Sequence, residues 1–346
     1  MRAFFNTIRN IFKIEDLRGR IIATLGLVLV YRLGAHIVLP GIDPEALLDS
    51  NWTSQNTEGI MGLLNMFTGG AFANVSFMAL GIMPYISASI VIQLLGVAVP
   101  YIQKLQKEGE SGRNKINQLT RWLTIAITAV QGPGYIAYST SMMPKEAMLL
   151  GSGWEFTFVS MVLLSTGTLF AMWLGEKITD RGIGNGISLL IMIGIIAVLP
   201  TSMFAEITAR LSQFGGGLVI LAIELVLLLA VILVCILLVQ GTRKIPIAYP
   251  RQMMGQRFAG ARQYIPLKIN ASGVMPIIFA QAIMFVPMTF VGLFNSDGES
   301  WLQQMIFEFS DPAGFWYNFV FFILVVVFTY FYTAITVNPD QMAADM

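Results

Sequence analysis

Along the chain, apolar runs of about twenty residues alternate with shorter stretches that carry nearly all the charge. Runs of that length match a helix rising 1.5 Å per residue across a hydrocarbon core about 30 Å thick. The pattern predicts eight membrane-spanning helices, at roughly 21–38, 75–97, 119–140, 156–174, 186–203, 218–240, 270–294 and 315–337. Residues 63–67 break it. They are apolar but too short to span, they end at the Gly69-Gly70 pair, and the second span follows directly. Helical backbone that stops part-way through a membrane is tolerated only where protein or a water-filled cavity encloses it. The stretch 62–95 therefore predicts a protected interior. Ahead of the first span, Phe4, Phe5, Ile8, Ile11 and Phe12 recur at helical spacing while Arg2, Arg9 and Lys13 fall elsewhere. Residues 1–20 read either as an interfacial helix with a basic face or as a solvated charged helix. The apolar run after Arg20 is long and no small-residue cleavage site follows it, so it is taken as a mature span rather than a signal peptide.

Composition excludes a soluble domain. Of 346 residues 55% are hydrophobic and 12% charged, with a mean hydropathy of +0.70, against about 25% charged in soluble proteins. The net charge of +1 becomes informative only when the charges are placed. Eighteen of the 21 basic residues fall before the first span, in the loops after the second and fourth, or between 243 and 268. Only Arg32, Lys145 and Arg210 remain for the opposite side, which carries eleven of the 20 acids. That asymmetry assigns both ends of the chain to the cytoplasm. Cys235 is the one cysteine, so there is no disulfide framework, and its apolar setting predicts a packed thiol. Arg32 and His36 lie near the outer end of the first span, where a long side chain snorkels; at the centre an arginine would cost about 2.5–3.5 kcal/mol. Glu224, inside the sixth span, reads as a helix-packing or lipid-interface residue.

One internal repeat stands out. Gly81-Ile82-Met83-Pro84-Tyr85-Ile86 in the second span matches Gly273-Val274-Met275-Pro276-Ile277-Ile278 in the seventh at four of six positions. The two spans run in opposite directions, as inverted repeats do around a central pathway. Counted from the predicted ends, Ile86 lies roughly 16 Å and Ile278 roughly 12 Å into their helices, both toward the middle of the core. Catalytic chemistry is not in evidence: there is one histidine, no HExxH, no GxSxG and no phosphate loop. No catalytic residue, cofactor or metal is expected. A passive channel and a secondary transporter both fit inverted repeats and broken helices; the lack of a polar midplane site favours the channel. The single, peripheral His36 opposes an intramembrane protease.

Several long motifs resemble the SecY family, the protein-conducting subunit of the bacterial Sec translocon. They are ALGIMPYISASIVIQLL from Ala79, KEGESGR from Lys107 to Arg113, MWLGEKITDRGIGNGIS from Met172 to Ser188, FKIEDLRGRI near the start and TAITVNPDQMAADM at the end. The resemblance covers essentially the whole chain. It implies an all-α, polytopic helix bundle of two inverted halves around an hourglass channel. Residues 21–205, with spans one to five, form the first half, and 216–346, with spans six to eight and the loop 241–268, part of the second. The family has ten spans, so a partial chain is expected. Implied partners are SecE, SecG, a ribosome or the SecA motor, signal sequences, nascent polypeptides and lipids, at a bacterial cytoplasmic membrane.

Carried onto matching positions, the resemblance makes Ile82, Ile86, Ile187, Ile191 and Ile278 an apolar pore ring, which seals by offering water no polar partner. It makes Leu63, Leu64, Asn65, Met66, Phe67, Thr68, Gly69 and Gly70 a plug, with the two glycines as its hinge. Ser87, Ser89, Gln131 and Asn270 are implied polar groups of a lateral gate between spans 2 and 3 and spans 7 and 8, each equally able to bond within its own helix. The loop 241–268 has six basic residues and no acid. Arg243, Lys244, Arg251, Arg257 and Arg262 are candidates for docking ribosomal RNA phosphates or an acidic motor surface, besides fixing topology.

Overall fold

A computed structural model describes residues 13–48, 62, 65–143, 147–149, 153–212, 217–246, 264–281, 283–284 and 314–336. In chain order the helices are α1 (Glu15–Gly34), the short α2 (Pro44–Leu48), α3 (Met83–Ala98), α4 (Pro100–Lys107), α5 (Glu110–Met142), α6 (Trp154–Arg181), α7 (Gly186–Ser212), α8 (Gly217–Gln240) and α9 (Phe315–Thr336). Residues 65–67 and 275–281 are also helical. The fold is an all-α membrane bundle with one β-hairpin, in which β1 (Thr242–Pro246) pairs antiparallel with β2 (Tyr264–Lys268). Among the described residues, α6, α7, α8 and α9 are each long and apolar enough to cross a membrane, and α3 with α4 forms a further, bent candidate. Val99 is extended ahead of Pro100, as a residue before proline prefers, and α4 turns 99° away from α3 there.

The chain forms two compact units, Met1–Ser202 with Ala282–Phe319 and Met203–Gln281 with Val320–Met346. The core of the first is built around a non-helical stretch. From Thr68 to Ile82 the backbone is a succession of turns, yet Ala71, Phe72, Val75, Ser76, Met78, Ala79, Leu80 and Ile82 are all buried. Val75 and Ser76 have no exposed surface at all. Here the rule on interrupted helices is met by protein: the backbone groups freed from a helix find partners in neighbouring elements. Val75 and Phe77 pair with residues 37 and 39 beyond α1 through Leu39 N to Val75 O (2.9 Å) and Phe77 N to Ile37 O (3.1 Å). The Tyr135 hydroxyl of α5 donates to the Phe72 carbonyl at 2.9 Å while its ring meets the Phe72 ring edge-on. Asn65 and Thr68 side-chain oxygens accept from the amides of Ala73 and Phe72.

The expectation for the second span is therefore corrected. Its helix starts at Met83 rather than 75, and Ile86 sits in the first turn rather than deep inside. The seventh is corrected in the same way, with helix beginning at residue 275 rather than 270. The cause is common to both. Gly81 and Gly273 have φ of +53° and +63°, a left-handed conformation open to glycine, and each is followed by a Met-Pro pair that opens the helix. Proline in a first turn costs no hydrogen bond. The repeated hexapeptide is thus a repeated helix start.

Elsewhere the local rules hold. Asn185 caps α7 by accepting from the amides of Ile187 and Ser188 at 3.1 and 3.2 Å, and Thr24 of α1 accepts from Ile183 just before it. Buried Thr120, Thr124 and Thr128 form a stripe on α5, each hydroxyl donating to the carbonyl four residues back. In the second unit, the Phe279 ring is buried edge-on against Phe328 and Tyr332 of α9.

Candidate functional site

The half-length element ends by a recognisable stop signal. Gly70 N donates to Asn65 O (2.9 Å) and Gly69 N to Met66 O (3.1 Å), with Gly69 at φ +66°. This is the paired bonding of a Schellman helix end, whose left-handed residue is usually glycine. Of the plug residues named above, Asn65, Met66, Phe67, Thr68, Gly69 and Gly70 are seen in this turn, and Thr68 and Gly69 are buried. Leu63 and Leu64 lie outside the described residues.

Arg32 does not merely snorkel. From the last turn of α1 its Nη1 donates to the carbonyl of Gly69 at 2.7 Å, and the side chain is half-buried. On the other side of the same turn is Gly194 of α7. A Cβ added to Gly69 would meet Arg32 Nη1 and stand 3.0 Å from Gly194 Cα; one added to Gly194 would stand 2.7 Å from Phe67 O. The turn is therefore held between α1 and α7 at close to backbone contact.

Ile82 is a member of the buried cluster formed with Tyr31, Met78, Leu174, Ile178 and Leu190, and Ile86 and Ile187 pack against it half-exposed. Three of the five isoleucines are thus brought together. Ile191 is half-buried one turn along α7 from Ile187, and Ile278 is half-buried in the second unit. The polar residues expected at a gate behave differently from one another. Ser87 donates to Met83 O within α3, Ser89 accepts from Gln93, and Asn270 accepts from Gly273 N and Ser272. Buried Gln131 keeps its Oε1 without a partner.

Four features lie beyond what the sequence pattern announces. The hairpin places Arg243 and Lys244 on an exposed strand opposite Leu267 and Pro266. Two proline-containing five-residue strands are too short to announce themselves, and Arg251, Arg257 and Arg262 lie outside the described residues. Glu224 accepts from Arg210 Nη2 at 2.6 Å, and Arg210 Nε is 2.7 Å from Glu206, so it is an ion-pair partner rather than a packing or lipid-interface residue. Arg121 of α5 and Glu176 of α6 form a second pair between helices. Cys235, expected to be packed, is exposed, because no described element covers that face of α8. Among the described residues no three His, Cys, Asp or Glu side chains converge as a metal site.

A buried, non-helical apolar segment inside a bundle of spanning helices defines a multi-pass membrane protein with an enclosed re-entrant element. The SecY family model matches residues 76–346. The protein translocase subunit SecY of Streptomyces scabiei is 38% identical over 344 residues, covering 97% of this chain and 78% of the relative. SecY of Mycobacterium tuberculosis (strain ATCC 25618 / H37Rv) is 37% identical over 358 residues, covering 100% and 79%. The chain belongs to the SecY family. Among solved structures, "The structure of a protein conducting channel" is similar with a TM-score of 0.53 at 16% identity, covering 91% of this chain and 70% of that one. The structure described by "The plug domain of the SecY protein stablizes the closed state of the translocation channel and maintains a membrane seal" gives 0.56 at 17% identity, covering 95% and 75%.

Proposed function

We propose that this chain is the central subunit of a Sec translocation channel, which passes unfolded secretory polypeptides across a bacterial cytoplasmic membrane and releases apolar helices sideways into lipid. The observation that carries the reading is the buried turn segment 68–82, enclosed beside Ile82, Ile86 and Ile187 in a chain of the SecY family. The half-length element acts as plug, and the isoleucines close the path by dewetting. They yield to a polypeptide because they offer it no specific hydrogen bonds. Ser87, Ser89, Gln131 and Asn270 contribute to a lateral gate whose contacts are weak, about 0.6 kcal/mol per bond in membranes. An apolar signal helix replaces such contacts at little net change in free energy. The channel catalyses nothing itself; the driving force comes from a ribosome or SecA, with SecE and SecG as companion subunits and the N-terminus in the cytoplasm.

Reconstitution of the native complex with a preprotein and its motor tests this. Translocation into vesicles without saturable small-solute uptake is expected, and saturable solute flux without translocation would reject the channel in favour of a transporter.

Docking is tested separately. Arg243→Glu with Lys244→Glu, both on the exposed strand β1, is expected to weaken ribosome co-sedimentation by roughly tenfold at physiological salt. Membrane insertion persists, because the remaining basic loops maintain topology. Unchanged ribosome affinity would show that the hairpin charges serve topology alone.

A further inference from the structure

We infer that Arg32 is a positioning residue of the channel, a latch that holds the half-length element in its sealing position by binding the carbonyl of Gly69. The inference rests on the plug reading above and adds to it the group that sets how firmly the plug is seated.

Gly69 O belongs to the residue just past a helix end, where carbonyls have no intrahelical partner. Arg32 supplies one at 2.7 Å from a different element, 37 residues away in sequence. The bond is charge-assisted, the stronger kind, and it lies in a partly buried setting. A packing role alone would be filled better by an apolar side chain, since a guanidinium in a membrane helix is costly unless paired. The bond ties the end of the element to α1. Asn65 and Thr68 bind the chain within the turn, and Tyr135 holds Phe72 from α5. Gly69 itself touches α7 through backbone only, at Gly194. The glycines allow the close approach, and the arginine adds to it a directional, charge-assisted bond from α1.

The test is the idle ion conductance of the native channel complex in planar bilayers, with Arg32→Met, Arg32→Lys, Arg32→Gln, Gly194→Ala and a deletion of residues 62–71, singly and combined. Arg32→Met is expected to raise the conductance roughly tenfold, the effect of losing one charge-assisted hydrogen bond. Arg32→Lys, which keeps a cationic donor, recovers most of the seal. Arg32→Gln, which keeps a neutral amide donor, gives a smaller rise than Arg32→Met and keeps the test open should Arg32→Met fail to accumulate; Gly194→Ala, which places a methyl 2.7 Å from Phe67 O, is the control for a turn displaced with the arginine intact and gives a rise of its own. In the deletion background none of these substitutions adds anything, a result that general loosening of the bundle would not produce.

Wild-type conductance in Arg32→Met, with a raised value in the deletion, overturns the latch and leaves the plug standing. An effect of Arg32→Met as large in the deletion as in the intact chain also overturns it. A deletion that conducts like wild type removes the plug reading and the latch together.

Discussion

Replacing Ile86 and Ile187 together by serine is expected to raise the ion conductance of the resting channel by roughly thirtyfold. Both side chains are half-buried against the cluster that contains Ile82, and neither is part of its fully buried interior, so the double substitution leaves Leu174, Ile178 and Leu190 in place. A dewetted constriction resists ions because water inside it forfeits hydrogen bonds to the wall. Each serine hydroxyl returns about 1 kcal/mol of net hydrogen bonding, and about 2 kcal/mol off the barrier gives the stated factor. The same pair changed to valine keeps the wall apolar and is expected to conduct like wild type. Conductance measured in planar bilayers on the native complex decides it. A serine pair no leakier than the valine pair would mean that these isoleucines are ordinary packing residues.

Gly167→Val, away from the path, is expected to cost about 3 kcal/mol and to lower the unfolding midpoint of the purified complex by roughly 5–10 °C. Gly167 lies where α6 crosses the buried turn. A Cβ there would strike the carbonyl of Phe77, with its carbon at 2.7 Å and the Phe77 ring at 2.9 Å. Backbone cannot swing aside as a flexible side chain can. Phe77 is moreover fixed by the hydrogen bond from its amide N–H to Ile37 O, so relief requires α6 to move outward, away from Met78. Gly167→Ala should fall between wild type and valine. Thermal denaturation followed by intrinsic fluorescence measures the series, and an unshifted midpoint for valine would show that α6 has room the close approach denies.

What could be read in advance follows from how far each signal reaches. The later spans α8 and α9 declare themselves through unbroken apolar runs, and their observed bounds lie near the predicted ones, whereas α6 continues to Arg181, past the expected end at 174. The second and seventh spans mislead because apolar length does not separate a helix from a buried turn: residues 75–82 are as apolar as the helix after them. The Gly-x-Met-Pro signature carries the answer, since a left-handed glycine followed by proline marks a start. The grouping of Ile82, Ile86 and Ile187 is expected from the family motifs and the three do pack together, whereas the Arg32–Gly69 bond is not legible, because it joins residues 37 positions apart by a backbone carbonyl that no residue type advertises. Glu224 was visible but not its partner. A charge in a membrane helix announces a need, and only the fold says what meets it.

The Arg210–Glu224 pair bears on how the protein is made. Apart from Glu224, α8 is apolar from Gly217 to Val239, and a lone carboxylate in such a helix resists transfer into lipid. Its partner is only fourteen residues upstream, at the end of α7. The carboxylate of α8 thus enters the membrane with its counter-charge already made, fourteen residues earlier in the chain, and needs neither lipid headgroup nor water to balance it.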